Sequence, residues 1–238
     1  MTERIMGVLG GMGPQATIEF MKRVMNHTNA HDDIDHLRMI VDSNPKVPSR
    51  IAAIIEKKGG EPGVVLAEMA KGLEAAGAQF LVITCNTAHY YLADIRAAAF
   101  IPVLDVTQLS AAKLSQALGK KAKIGVLASP AVQQIALFEK TFHQYDLSLA
   151  YPDPKEQENL LAIIRAVKAG ALSQAEQKAY EQIAKSLLDN HGVKGIIVAC
   201  TELSLLPLPR RKTLIIDTLD VLVEAAISTA KNGEKFTY

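Results

Sequence analysis

Short apolar runs alternate with amphipathic segments along the whole chain, and glycine, proline or small polar residues separate them. Runs of four or five apolar residues are typical of buried strands, whereas apolar residues at every third or fourth position are typical of helices. The predicted strands cover residues 5–9, 37–41, 80–84, 102–104, 123–127, 147–151, 195–199 and 214–216. The predicted helices cover residues 17–29, 50–57, 63–76, 88–98, 131–141, 156–168, 173–190 and 221–231. This alternation predicts an α/β fold with mainly parallel sheets.

The second half of the chain repeats the order of elements in the first half. Three pairs of segments match in the same order: residues 6–9 with 124–127 (offset 118), Cys85 with Cys200 (offset 115) and residues 103–105 with 215–217 (offset 112). A repeat of this length is too long for a solenoid unit. We therefore predict two similar Rossmann-like lobes related by pseudo-twofold symmetry. The first lobe would hold residues 1–107 and 214–238, and the second would hold residues 108–213.

Composition narrows the classes of function. Hydrophobic residues make up 49% and charged residues 21% of the 238 residues, as in ordinary globular proteins. The net charge of +1 argues against binding nucleic acid independently of sequence. No apolar stretch approaches the roughly 20 residues of a membrane span, and the N-terminal apolar run is too short for a signal peptide. Two cysteines without framework spacing indicate no disulfide scaffold, so we expect a cytoplasmic protein with reduced thiols.

Each cysteine comes one step after an apolar run and is followed by polar residues that are able to start a helix. The segments are Cys85 with Asn86 and Thr87, and Cys200 with Thr201 and Glu202. A buried cysteine is often only a small hydrophobic residue. Ligands of parallel sheets, however, bind beyond the carboxyl ends of the strands. We therefore predict a site in the cleft between the lobes, with a helix N-terminus favouring the thiolate at each cysteine.

A glycine-rich loop at residues 10–14 follows the first predicted strand. It lacks the spacing of a dinucleotide-binding loop. Pro14 suits the first turn of the following helix, and the free backbone N–H groups before it are able to hold a carboxylate. No Cys and His spacing fits a zinc site, and no lysine lies in a phosphate-binding context suited to pyridoxal phosphate. We therefore expect a site for a small anion, without a metal or a cofactor.

Four motifs together resemble those of the aspartate/glutamate racemase superfamily, and most of all those of the cofactor-independent aspartate racemases. They are Gly10-Gly-Met-Gly-Pro14, Ser43-Asn-Pro45 with Pro48 and Arg50, Cys85-Asn-Thr-Ala-His89 and Cys200-Thr-Glu202. The resemblance covers nearly the whole chain. It implies that one cysteine thiolate removes the α-proton of an amino acid while the opposite thiol protonates the other face. On that basis Cys85 and Cys200 are the catalytic residues.

The resemblance also implies a set of substrate-binding residues. They are Met12, Asn44, Arg50, Asn86, Thr87, Lys168, Thr201 and Glu202. Arg50 matches the family position that binds the distal carboxylate of the substrate, a task suited to a planar guanidinium, and Lys168 resembles a second cationic contact. From the residues alone, helix capping would explain Asn86, Thr87 and Thr201 equally well, and Lys168 would be a lysine interacting with a helix C-terminus.

The expected reaction is the interconversion of L- and D-aspartate, with glutamate as a second candidate, by a homodimer. Two alternatives stay open. One is another member of the superfamily, such as a hydantoin racemase or a maleate isomerase; the other is a two-lobed protein that binds acidic metabolites without catalysis. Two positions depart from the family pattern: Ala199 replaces a glycine before Cys200, and Ser49 replaces an acidic residue before Arg50.

Overall fold

In the computed structural model, which describes residues 3–208 and 213–232, the chain forms two compact units. The first unit contains the described residues up to Val106 and those from Leu219 onward, and the second runs from Thr107 to Thr218. This division corrects the predicted one, which assigned residues 107 and 214–218 to the first lobe. The reason is that the strand Leu214–Asp217 forms a parallel ladder with Gly195–Val198 and so belongs to the second sheet.

The described residues of the first unit contain a three-stranded parallel sheet with the order β2-β1-β3. Its strands are β1 (Met6–Gly10), β2 (Met39–Ser43) and β3 (Phe80–Ile83). Every residue of β1 and β3 is buried, as expected for strands covered on both faces. Where a strand is predicted at 102–104, the backbone forms a single parallel bridge between Leu81 and Val103.

The described residues of the second unit contain a four-stranded parallel sheet with the order β5-β4-β6-β7. Its strands are β4 (Lys123–Leu127), β5 (Ser148–Ala150), β6 (Gly195–Val198) and β7 (Leu214–Asp217). The central strands β4 and β6 are almost entirely buried, whereas the edge strands β5 and β7 are partly exposed. The four strands therefore match the four predicted ones to within two residues at each end.

The two sheets share one topology. In each, the first strand of the unit lies in the centre, the second strand on one side and the third strand on the other. Met6 pairs with Phe80, and Ile124 pairs with Gly195, so the registers repeat at offsets of 118 and 115 residues. The bridge at Val103 stands where the second sheet has β7. The strand registers thus reproduce the repeat in the sequence.

Helices come after the strands along the chain. In chain order they are α1 (Pro14–His27), α2 (Pro62–Ala75), α3 (Leu92–Ala98), α4 (Val106–Leu118), α5 (Pro130–Gln134), α6 (Glu139–Gln144), α7 (Pro154–Ala169), α8 (Gln174–Asn190) and α9 (Thr218–Asn232). Helix α4 was not predicted. Its buried face includes Thr107 and Ser110, and these polar residues obscure the apolar spacing that identifies a helix.

Three predicted helices differ from those observed. The segment predicted as a helix at 50–57 forms a π-helical turn over Ala52–Glu56, and the helix predicted at 88–98 starts as a 3₁₀ turn over Thr87–Tyr91. The helix predicted at 131–141 is two short helices, α5 and α6. The backbone breaks between them at Ala136, whose φ is +50°, a left-handed conformation that interrupts a right-handed helix.

The glycine-rich loop packs backbone against backbone on the loop after β2. Gly11 has a φ of +85°, and a Cβ at this position would lie 2.4 Å from the backbone nitrogen of Asn44. The amide of Asn44 donates to the Gly10 carbonyl at 3.3 Å, and the amide of Gly11 donates to the Thr17 hydroxyl at 2.9 Å. These contacts hold the two loops together and require a glycine at position 11.

We predict that Gly11→Ala lowers the free energy of unfolding more than Gly77→Ala does. Both substitutions place a side chain on a residue with positive φ, which costs roughly 1–2 kcal/mol. Nothing lies within 4 Å of a Cβ at Gly77, so only Gly11→Ala also forces the Asn44 backbone to move, at an additional cost of about 1–3 kcal/mol. Urea unfolding of the two variants measures the difference. If both variants lose the same free energy of unfolding, the contact between the loops does not restrict the residue at position 11.

Candidate active site

Cys85 lies two residues beyond the end of β3, at the carboxyl edge of the first sheet, and its side chain is 7% exposed. The preceding residue, Thr84, fixes this position. Its amide donates to the carbonyl of Leu9 at 3.1 Å, and its hydroxyl lies 3.0 Å from that of Thr17. Thr84 therefore ties the backbone of Cys85 both to β1 and to the residue that holds the glycine-rich loop.

His89 supports Cys85 from the following turn. Its Nδ1 lies 3.0 Å from the Cys85 carbonyl. Because a carbonyl only accepts, Nδ1 carries the proton of the ring. Burial lowers the pKa of His89, so the ring is neutral at physiological pH. In this state the histidine orients the backbone of Cys85 and adds no positive charge to the site.

Cys200 occupies the equivalent position in the second unit. It lies two residues beyond β6 and is also 7% exposed. Ser204 comes four residues later, as His89 does after Cys85, and its amide donates to the Cys200 carbonyl at 3.1 Å. The Ser204 hydroxyl donates to Oδ1 of Asp217, the last residue of β7, at 2.6 Å. Both units therefore use the fourth residue after the cysteine to hold its carbonyl.

Glu202 and Lys168 stand beside the Cys200 thiol. The Cys200 Sγ donates to Oε2 of Glu202 at 3.2 Å, and Oε1 of Glu202 lies 3.1 Å from Nζ of Lys168. Lys168 comes from the last turn of α7, and its side chain is 37% exposed, whereas that of Glu202 is 8% exposed. Thiol, carboxylate and ammonium thus form a chain that runs from the buried sulfur toward the surface.

These surroundings keep Cys200 protonated. Burial raises the pKa of the Cys200 thiol well above its usual value, the carboxylate of Glu202 raises it further, and Lys168 opposes the rise only in part. The sequence predicts a thiolate stabilised by a helix N-terminus, and at Cys200 this prediction is wrong. The segment after the cysteine is a three-residue 3₁₀ turn, Leu203–Leu205, and a negative side chain lies directly beside the sulfur.

The two thiol environments are not equivalent. By the offset of 115 residues, Glu202 corresponds to Thr87. The first unit therefore has a neutral hydroxyl at the position where the second has a carboxylate. From the sequence alone, Glu202 and Thr87 are predicted to have the same role, that of a hydrogen-bonding residue that follows a cysteine. The structure shows instead that Glu202 acts on the cysteine of its own unit.

Arg50 is buried in the first unit, where three backbone carbonyls hold its guanidinium. Nη1 donates to Val47 at 3.2 Å and to Pro48 at 3.0 Å, and Nη2 donates to Met12 at 3.0 Å. Nε is buried and has no hydrogen-bond partner in the described part of the chain. These carbonyls orient the arginine although Ser49 replaces the acidic residue of the family pattern. A buried positive charge held only by neutral oxygens favours the binding of an anion.

The other predicted substrate-binding residues divide between the two units. Met12 and Asn44 lie in the loops that Arg50 and Gly11 join, and Asn86 and Thr87 are buried directly after Cys85. Thr201 is buried directly after Cys200. Within each unit the structure therefore gathers the predicted residues at one edge of the sheet. Their contacts with a substrate remain predictions.

The first unit contains a cavity of about 770 Å³ between the 53–63 segment, α2 and α3, and neither thiol lines it.

Among residues 3–208 and 213–232, no group of three or more His, Cys, Asp or Glu side chains is arranged to hold a metal ion. Within the same described ranges, every helix is too short or too polar to cross a membrane.

Sequence reasoning missed several residues of the thiol surroundings. Thr17 and Thr84 are separated by 67 residues, and nothing in the sequence links them. Ser204 and Asp217 could have been found from the repeat. At its offsets of 115 and 112 residues, Ser204 corresponds to His89 and Asp217 corresponds to Asp105. The repeat therefore indicates more of the supporting structure than the motifs around the cysteines alone.

The sequence and the fold of this chain are both similar to those of known racemases. The profile of the family described as Asp/Glu/Hydantoin racemase matches residues 9–226. The broad specificity amino-acid racemase RacX of Bacillus subtilis (strain 168) is 26% identical over 230 residues, which cover 94% of this chain and 97% of RacX. The aspartate racemase of Picrophilus torridus has a similar structure, with a TM-score of 0.80 and 26% identity over 98% of this chain and 96% of that one.

The fold extends to more distant enzymes. The glutamate racemase RacE1 of Bacillus anthracis matches with a TM-score of 0.65 over 98% of this chain and 82% of its own, at 19% identity, and this likeness concerns the fold alone. The family profile, by contrast, spans most of the sequence and includes both cysteines. The prediction from the motifs is confirmed: the chain belongs to the Asp/Glu/hydantoin racemase family and is a racemase, an isomerase with the two-sheet α/β fold of that family.

Proposed function

We propose that this protein racemises a small acidic amino acid, aspartate first and glutamate second, with Cys85 and Cys200 as the two proton-transfer groups and without a cofactor. The observation that carries the proposal is that the same position in two repeated sheets holds a buried thiol. Racemisation has an equilibrium constant of one in water, so two matching acid–base groups suit it. The expected setting is a homodimer in the cytoplasm.

The proposed reaction transfers one proton in each of two steps. A cysteine thiolate takes the α-proton, and the electron pair of the broken C–H bond moves into the substrate carboxylate to give an enediolate-like state. The opposite thiol then donates its proton to the other face of the α-carbon and becomes the thiolate. Hydrogen-bond donors at Asn86, Thr87 and Thr201 stabilise the negative charge that develops on the carboxylate. The two cysteines exchange roles in the reverse direction.

The surroundings of Cys200 support a role for this thiol as the acid. Because burial and Glu202 raise the pKa of the Cys200 thiol, this thiol is suited to be the group that donates the proton. Once Cys200 has given its proton, its thiolate lies beside the carboxylate of Glu202, and the ammonium of Lys168 offsets part of the repulsion. Glu202 thus acts on the thiol in addition to its predicted contact with the substrate.

Arg50 supports the choice of an acidic substrate. Its guanidinium is buried, is oriented by three carbonyls and retains an unpartnered N–H. A distal carboxylate would supply the missing negative charge through charge-assisted hydrogen bonds. A hydantoin racemase would have no need of this cation. Lys168 remains a second candidate contact, although its ion pair with Glu202 already engages its charge.

We predict that Cys85→Ala and Cys200→Ala each slow racemisation of aspartate by roughly 10²- to 10⁴-fold, since each removes one general acid or base. A chiral product assay in deuterium oxide measures both the rate and the incorporation of deuterium at Cα. Thermal unfolding of each variant controls for loss of the fold. Full racemase activity in either variant would rule out the two-thiol mechanism.

A second prediction concerns Glu202→Gln, which keeps the shape of the side chain and removes its charge. Because the carboxylate raises the pKa of Cys200, the substitution lowers this pKa, and the thiol then loses its acid form at a lower pH. The basic limb of the pH–rate profile should move toward lower pH in the direction that uses Cys200 as the acid. Glu181→Gln is the matched control, because Glu181 accepts from Gln177 on the surface of α8. A shift toward higher pH would contradict the assignment.

A third prediction tests the role of Arg50. Arg50→Lys should raise the KM for aspartate by about 10- to 100-fold, because a lysine does not reproduce the paired donors of the guanidinium. The KM for a neutral amino acid such as alanine, where turnover is measurable, should change much less. Arg38→Lys, at an exposed position, is the control. An equal loss for acidic and neutral substrates would show that Arg50 only supports the loops.

A further inference from the structure

Tyr180 carries a buried polar group that the proposed reaction does not explain. The residue lies on α8 and is fully buried, at 0% exposure. Among the described residues, its hydroxyl oxygen has no hydrogen-bond partner. The side chain belongs to the same packed cluster as Cys200. A phenol in a protein interior usually donates to a nearby acceptor, so an unpartnered one in the same cluster as a reactive thiol requires an explanation.

Asp217 and Cys200 are the two groups whose charge acts on the phenol, and neither accepts a hydrogen bond from it within the part of the chain that the structure describes. Burial raises the pKa of Tyr180 well above its usual value, and Asp217 and Cys200 raise it further, which places both groups within electrostatic reach. Asp217 already accepts a short hydrogen bond from Ser204. Cys200 is a protonated thiol that donates to Glu202, and a thiol sulfur is a weak acceptor. The sulfur becomes a strong acceptor only as a thiolate.

We propose that Tyr180 is a positioning residue for Cys200, and that its hydroxyl donates to the sulfur once the thiol has given up its proton. The contact then stabilises a thiolate that burial and Glu202 otherwise disfavour. Tyr180 keeps its own proton across the physiological range, so it acts as a donor and takes no part in proton transfer. This inference rests on the proposed function and adds a residue to the same site.

The repeat supports this role independently. At the offset of 115 residues that relates the cysteines, Tyr180 corresponds to Val65 of α2, which packs against the core of the first unit. The unit with a valine at this position has Thr87 where the other has Glu202. The second unit, in which the carboxylate of Glu202 disfavours the thiolate, therefore also has a hydroxyl donor, Tyr180. The unit without that carboxylate has an apolar residue instead.

The test measures the ionisation of Cys200 directly. Cys85→Ser leaves Cys200 as the only thiol, and its rate of alkylation by iodoacetamide is recorded as a function of pH. In this background Tyr180→Phe should raise the midpoint of the alkylation profile by about one pH unit, because a hydrogen bond to a charged group contributes about tenfold. Thermal unfolding should be unchanged or shifted upward, since phenylalanine keeps the shape and removes an unpartnered hydroxyl.

Tyr151→Phe is the matched control, because the Tyr151 hydroxyl already has an acceptor of its own, Glu139 at 2.9 Å. It should lower the unfolding temperature and leave the alkylation midpoint unchanged. An unchanged midpoint in folded Tyr180→Phe would overturn the proposal, and so would an equal shift in both variants. Neither result depends on racemisation, so failure here is distinct from an absence of activity on aspartate.

A second measurement keeps a phenol at position 180. Replacement of the six tyrosines by 3-fluorotyrosine makes every phenol a stronger donor without changing the packing appreciably. The alkylation midpoint of Cys200 should then move toward lower pH. A midpoint that stays in place, or one that rises, would contradict donation from Tyr180 to the thiolate.

Discussion

The register of the parallel strands determines where both thiols lie. Each cysteine lies two residues beyond a strand that pairs with the central strand of its sheet, β3 with β1 and β6 with β4. A slip of one residue would turn each thiol to the opposite face of its sheet. The hydrogen bonds from Thr84 to β1 and from Ser204 to the Cys200 carbonyl continue this order past the strand ends. Both thiols therefore lie just past the ends of the two ladders.

The features that depend on contacts between neighbours in sequence were predictable. Apolar runs located the strands, and the offsets of the repeat located equivalent positions in both sheets, including those of Cys85 and Cys200. The repeat also predicted two units. It did not locate their boundary, because the pairing of residues 214–217 with β6 is a contact between distant segments that no local pattern reveals.

The electrostatics of the site could not be predicted in the same way. Lys168 and Glu202 are 34 residues apart, and their ion pair depends on how α7 packs beside the end of β6. The sequence suggested a thiolate at Cys200 because polar residues come after it. Burial and a neighbouring carboxylate reverse that expectation, and both are properties of tertiary structure. Likewise, no periodicity in α8 distinguishes Tyr180 from an ordinary core aromatic residue.

The contact between Cys200 and Glu202, with Thr87 as the uncharged counterpart of Glu202, has a kinetic consequence. In the proposed two-thiol reaction, each turnover would leave the proton on the other cysteine, so the free enzyme would exist in two forms that differ in which thiol is protonated. A carboxylate beside one sulfur makes these forms unequal in energy. Their interconversion through solvent then becomes a step of the cycle, and at high substrate concentration it is able to limit the net flux from one enantiomer to the other.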